Sequence, residues 1–198
     1  MEAALKKHEK HYAYADYLEW DTEERYELID GVPYMMSPSP GFTHQRILVK
    51  LTTAFSVYLT DKQCIALAAP LDVRLNSETE DDTVVQPDIL VVCDRSKIDK
   101  GGIKGAPDLV IEILSPSSRA YDNYLKLNKY LKAGVRECWI VDPIENIVRV
   151  YQKNAAGKTT MEEYTEQDTV TVGIFPDLRI SLAGIFADAK IGGSGWGL

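Results

Sequence analysis

The stretch Val110–Ser118, VIEILSPSS, sets a single ionisable side chain, Glu112, inside a short apolar and β-branched run. Such a run reads as a strand covered on both faces, and a strand of that kind normally excludes an unpaired carboxylate. Burying the charge costs several kcal/mol by order of magnitude, ~2–7 for even a neutral polar group left without a partner, so something must offset it. A bound metal, a cationic partner or a raised pKa would each serve, and each implies a different function.

Working outward, the run is preceded by a second strand-like stretch, VVQPDILVVC (Val84–Cys93), and by the Gly- and Lys-rich loop DRSKIDKGGIKGA. It is followed by a helical segment from Arg119 to Ala133, which Gly134 ends in the position usual for a left-handed cap. RECWIVD and NIVRVY then read as two more strands joined at PIEN. On the N-terminal side, PLDVRLN alternates as a strand with one wet face. His44, Ile47, Leu48, Leu51, Phe55, Tyr58 and Leu59 recur at helical spacing after the breaker-rich SPSPGF. Asp30-Gly31 marks a hairpin with Glu27 on its first strand. Ala13–Arg25 suits a short helix, AGIFADA another, and GGSGWGL a flexible tail. The order predicts an α/β (α+β) domain built on a mixed sheet flanked by helices, one domain over 1–190 with a tail from 191 to 198.

The chain has 198 residues, 45% hydrophobic and 26% charged, enough for a substantial core. No apolar run approaches the ~18–20 residues of a membrane helix, and the first twenty residues lack the apolar core of a signal peptide, so a cytoplasmic protein without a membrane partner is expected. Cys64, Cys93 and Cys138 are odd in number and scattered, which fits neither a disulfide framework nor a zinc pair. They read as buried thiols. A net charge of −8 is the wrong sign for non-specific nucleic-acid binding, although clustered metal-binding acids would distort that total. No P-loop, Gly-x-Gly-x-x-Gly, Gly-x-Ser-x-Gly or zinc spacing is present.

Candidate chemistry gathers around two acids. Asp88 and Glu112 stand in strands that, if paired, bring their carboxylates together, and a close pair cannot comfortably stay ionised without a cation. Magnesium takes carboxylates, carbonyls and waters in an octahedral shell at ~2.0–2.1 Å, so these two acids and a strand carbonyl make a minimal site. The plainer alternative has each acid meeting a helix dipole or an arginine. Asp122 and Lys126 lie four apart on one helix face, either as a surface ion pair or with the lysine turned toward the acids. His44 is a hydrogen-bonded core histidine or a participant in the site, and Glu27 a hairpin surface charge or a third acid. Lys97, Lys100 and Lys104 form a solvated loop or touch phosphates.

Taken together, YELIDGVPYMMSPSPGFTHQRI, PLDVRL…DDTVVQPDILVVC and GAPDLVIEILSPSSRAYDNYLKLNKYLKAGVRECWIVDP, in that order from about Tyr26 to Tyr151, resemble the Uma-type restriction endonuclease family of the PD-(D/E)XK nuclease superfamily. The resemblance implies a restriction-endonuclease-like core and a magnesium-dependent phosphodiester hydrolase, with manganese as a substitute and DNA as substrate. On this likeness Asp88 and Glu112 match the metal-binding acids and Lys126 the branch's lysine. Asp122 is its helix companion, and Glu27 and His44 match recurrent positions nearby. The superfamily's usual lysine stands two residues after the second acid, on the same strand face. Here that position is Leu114. The alternative is therefore a catalytically inactive nuclease-fold protein acting as a nucleic-acid-binding or assembly module. A carboxylate-pair glycoside hydrolase is a third reading, separated by metal dependence. Cutting two strands and an unpaired sheet edge both suggest a homodimer.

Overall fold

The computed structural model describes residues 10–36, 40–115, 121–154 and 157–187, the side chains of 121–123 excepted. The expected tail at 191–198 lies outside this range. The main sheet contains β3 (Ile65–Ala68), β6 (Ile89–Val92), β9 (Leu109–Ile113), β10 (Glu137–Asp142), β11 (Ile147–Lys153) and β12 (Thr159–Thr165), in the order β12-β11-β10-β9-β6-β3. Only β9 and β10 run parallel; the other neighbours are antiparallel. The run that carries Glu112 is thus next to the middle of a mixed sheet, and all five of its residues are buried.

Strand periodicity sorts this sheet's side chains into two cores. Ile89, Val91, Leu109, Ile111 and Trp139 face one side, which is covered by helix α2 (Phe42–Tyr58), the β13 (Thr169–Thr171) and β14 (Arg179–Ser181) hairpin, and helix α4 (Leu182–Phe186). Leu90, Val92, Val110 and Cys138 face the other, with Leu127 and Tyr130 of helix α3 (Leu127–Ala133) and residues of a second sheet. That sheet joins β1 (Tyr26–Ile29), β2 (Val32–Met35), β4 (Val73–Arg74), β5 (Val84–Val85), β7 (Ile98–Asp99) and β8 (Gly102–Lys104) in the order β2-β1-β5-β4-β8-β7. The β1–β2 turn at Asp30-Gly31 has φ of 49° and 71°, the positive pair that an Asp-Gly hairpin tolerates. No helix among the described residues is long and apolar enough to cross a membrane.

Three expectations need correction. VVQPDILVVC is not one strand: β5 belongs to the second sheet and β6 to the main one, with the break at Gln86-Pro87. Proline has no N–H for a ladder bond, so the chain leaves one sheet there and enters the other. Helix α1 covers only Tyr14–Tyr17, because Tyr12, Tyr17, Trp20 and Tyr26 meet edge to face and the chain bends to bring those rings onto β1. Tertiary packing outweighs a weak helical pattern here. Cys64 and Cys93 form a disulfide, leaving Cys138 as the buried thiol. The β3–β6 register, Ile65 opposite Val92, brings those two cysteines together one step beyond the strand ends.

Phe55 on α2 is fully buried and meets Trp139 of β10 edge-on at 5.9 Å. We expect Phe55→Ala to cost about 3–5 kcal/mol in urea unfolding, through lost burial and the cavity left behind.

Candidate active site

The β6–β9 register pairs Ile89 with Ile111, and one further step sets Asp88 opposite Glu112. The two acids then differ in what holds them. Glu112 is buried, and its Oε1 accepts from the Lys126 ammonium at 2.8 Å and from the Tyr130 hydroxyl. Lys126 Nζ also lies 2.9 Å from Glu27 Oε1 of β1. The same Glu27 oxygen accepts the Gln86 backbone N–H at 2.7 Å. All three charged groups are almost fully buried, so one ammonium bridges two carboxylates away from water. A cationic partner is what meets the Glu112 charge in this structure.

Lys126 reaches this point because the segment before α3 is not α-helical. Tyr121–Lys126 forms a wide π-helical turn, and α3 continues from Leu127. Beyond it, regular helical spacing puts Tyr130 four residues after Lys126 on the same face. Burial first, and then the neighbouring Glu112 charge, push the Tyr130 phenol well above its ordinary pKa. It therefore stays protonated and donates. Lys126 does not serve as a surface ion pair. The Asp122 side chain lies outside the described residues.

Asp88 stands closer to the surface, its side chain 18% exposed. Its Oδ2 accepts the Ile113 backbone N–H at 2.7 Å and lies 3.2 Å from His44 Nε2. The histidine is buried on the first turn of α2, and its Nδ1 has no hydrogen-bond partner among the described residues. Asp88 Oδ1 has no protein hydrogen bond among the described residues. One carboxylate oxygen is thus fixed by protein donors and the other left available. Two of the three loop lysines are engaged elsewhere: Lys97 donates to the Ala106 carbonyl at 2.7 Å and Lys104 pairs with Asp99 at 3.1 Å, while Lys100 is exposed.

The structure thus gathers Glu27, Glu112 and Lys126 into one buried cluster and His44 and Asp88 into a pair beside it. Two further residues belong to this arrangement. Tyr130 was readable as the i+4 neighbour of Lys126. Gln86 was not, since its role depends on the sheet switch at Pro87. Its side-chain amide donates to Asp72 Oδ1 at 2.8 Å and its carbonyl accepts from Arg25, which braces the backbone N–H held against Glu27. Burial raises the Asp72 carboxyl above its ordinary range, although its hydrogen bonds from Gln86 and Tyr17 pull the other way.

No group of three or more His, Cys, Asp or Glu among the described residues is arranged to hold a metal ion. Magnesium does not require one, because it binds through one or two carboxylates and keeps several waters or substrate phosphates. The oxygen-only donors of Asp88 and Glu112, with Asp88 Oδ1 available, suit that hard cation.

A family model described as "Putative restriction endonuclease" (Uma2) matches residues 14–183. The uncharacterized protein slr1290 of Synechocystis sp. is 28% identical over 156 residues, 77% of this chain and 80% of that protein. The crystal structure of "a putative nuclease belonging to DUF820" from Anabaena variabilis aligns with a TM-score of 0.69 and 25% identity, covering 89% of this chain and 98% of that one.

Removing the bridging ammonium leaves two buried carboxylates without their shared counter-charge. Lys126→Ala should therefore lose about 3–5 kcal/mol of unfolding free energy. Tyr130 gives a pH signature. Its folded pKa is raised, so above the ordinary tyrosine pKa of 10.0 the folded state holds a proton that the unfolded state has released. The associated stability is complete below that pH and is lost as pH rises. Unfolding curves from pH 9 to about 11 should show a shallower decline for Tyr130→Phe than for the parent protein.

Proposed function

Because the chain belongs to the Uma2 family, whose model spans residues 14–183, we propose that it is a magnesium-dependent endonuclease that hydrolyses DNA phosphodiester bonds. The observation that carries this reading is the single buried ammonium of Lys126 between Glu27 and Glu112, beside an Asp88 with one oxygen available. Leu114, one residue past β9, occupies the position where the superfamily lysine would stand, and the helix-borne Lys126 meets Glu112 directly instead.

Asp88 and Glu112 would hold the magnesium, with manganese as a substitute. When bound, it supplies neutralisation of phosphoryl charge and a lowered pKa for water. The chain's own groups do the positioning. The Ile113 N–H and His44 fix the orientation of Asp88, and Tyr130 fixes that of Glu112. Lys126 supplies a preorganised positive charge for the oxygens that gain negative charge at phosphorus. In the reaction the water oxygen forms the new bond to phosphorus and the bond to the departing sugar oxygen breaks. The proton released from water balances the one taken up by that oxygen. A second copy of the chain is required only if both strands of a duplex are cut.

Plasmid DNA incubated with the protein and magnesium or manganese should be cleaved, with chelation stopping the reaction. Asp88→Ala should reduce the rate about a hundredfold or more. Lys126→Met, compared at a temperature where it remains folded, should do likewise. Cleavage by Asp88→Ala at the parent rate would sink the assignment. Failure of the parent protein on every form of DNA would favour the non-catalytic reading.

A further inference from the structure

Cys64 and Cys93 are 29 residues apart and disulfide-bonded, and the chain between them makes a round trip. It leaves the main sheet at the end of β3, supplies β4 and β5 to the second sheet, and returns to the main sheet as β6. The disulfide closes this loop at its base. Gln86 and Asp88 lie on its returning limb, and Val84 of β5 stands opposite Leu28, the neighbour of Glu27 on β1.

Among the described residues β3 is the outermost strand of the main sheet, bonded along one side by β6. That ladder runs from Ile65 opposite Val92 to Ala68 opposite Ile89, and one step further the Ala69 N–H donates to the Asp88 carbonyl at 3.0 Å. It therefore has the disulfide at one end and the main chain of Asp88 at the other. A strand held on one side opens more readily than a central one, and a covalent link at the end of the pair restricts that opening. Cys64 and Cys93 are both partly exposed, whereas Cys138, the third cysteine, is buried. Thiol–disulfide exchange requires access to sulfur, so the exposed pair is the one open to it.

Resting on the nuclease reading above for its effect on cleavage, we propose that Cys64–Cys93 is a reversible redox staple of the candidate site. Joined, the pair keeps β3 in register with β6 and the main chain of Asp88 in place. Opened by a dithiol reductant, it lets β3 loosen and slows the site. In that exchange a thiolate of the reductant attacks one cysteine sulfur and the S–S bond breaks, and the reductant's second thiol resolves the mixed disulfide. The protein gains two electrons and two protons as two thiols, and the reductant leaves as a disulfide.

The test uses the full chain, oxidised or equilibrated with dithiothreitol in the absence of denaturant, with thiols identified by alkylation and mass spectrometry. Cys64 and Cys93 should react after reduction and Cys138 should not. NMR amide exchange then follows the Ala69 N–H, with the Leu114 N–H, which donates to the Val141 carbonyl at 2.8 Å, as the control. Reduction should speed Ala69 exchange about tenfold or more and leave Leu114 unchanged, and reoxidation should reverse the effect. The double variant Cys64→Ser, Cys93→Ser should exchange like the reduced protein with or without dithiothreitol. Magnesium-dependent plasmid cleavage by the parent protein should fall at least about threefold on reduction. Resistance of the folded protein's disulfide to dithiothreitol overturns the proposal. So does equal Ala69 exchange in the two states, or acceleration of Leu114 together with Ala69, which marks the bond as a support of the whole fold. Unchanged cleavage by a reduced, active protein overturns it as well. A parent protein that cleaves no DNA in either state defeats the nuclease reading, and Ala69 exchange then decides the staple by itself.

Discussion

The arrangement turns on one buried ammonium. Glu112 lies in a strand whose neighbours on both sides exclude water, and Glu27 reaches the same volume from the second sheet. Neither carboxylate could remain there alone, because a buried charge without a partner is far less stable than one in water. Lys126 answers both, yet one positive charge between two negative ones leaves the cluster net negative, and Asp88 beside it adds to the excess. A cluster of this sign does little for packing compared with apolar side chains of similar volume. Besides the Lys126 ammonium, the donors to its acids include a main-chain N–H for Glu27, a phenol for Glu112, and a main-chain N–H with an imidazole for Asp88.

Much of the core was legible because period and composition agreed. Leu109–Ile113 and Glu137–Asp142 are apolar enough to be read as covered strands, and the face of α2 shows in Ile47, Leu51 and Phe55. Asp30-Gly31 announced its turn through the only φ angles that such a hairpin permits. The errors share a cause. Val84–Cys93 has one continuous hydrophobic pattern, and nothing in that pattern says that its two halves pair with different sheets; only Pro87 hinted at it. Cys64 and Cys93 could not be matched without knowing that β3 pairs with β6. Local pattern records which residues are covered and leaves open what covers them.

The site was legible to a similar depth. Asp88 and Glu112 stood out as acids in apolar strands, and the placing of Asp88 opposite Glu112 follows from strand register. Sequence spacing could not bring Glu27 to them from 61 and 85 residues away, since that depends on how two sheets face each other. Lys126 was ambiguous for a related reason. Its distance from Glu112 depends on the phase of the helix that carries it, and the π-helical turn resets that phase.

Gln86 belongs to neither sheet and stands between them in the chain. It follows the last residue of β5, precedes the proline that leads into β6, and holds Glu27 through its own main chain. The candidate site is therefore built across a seam. Glu27 stands on one side, Asp88 and Glu112 on the other, and Lys126 spans the gap as a rivet. Each sheet keeps its ladder of hydrogen bonds whether or not the seam is closed, so a small slip of one sheet over the other would part the charges while both sheets stayed whole. The candidate site thus depends on the apolar packing between the two sheets as much as on the ladders within them.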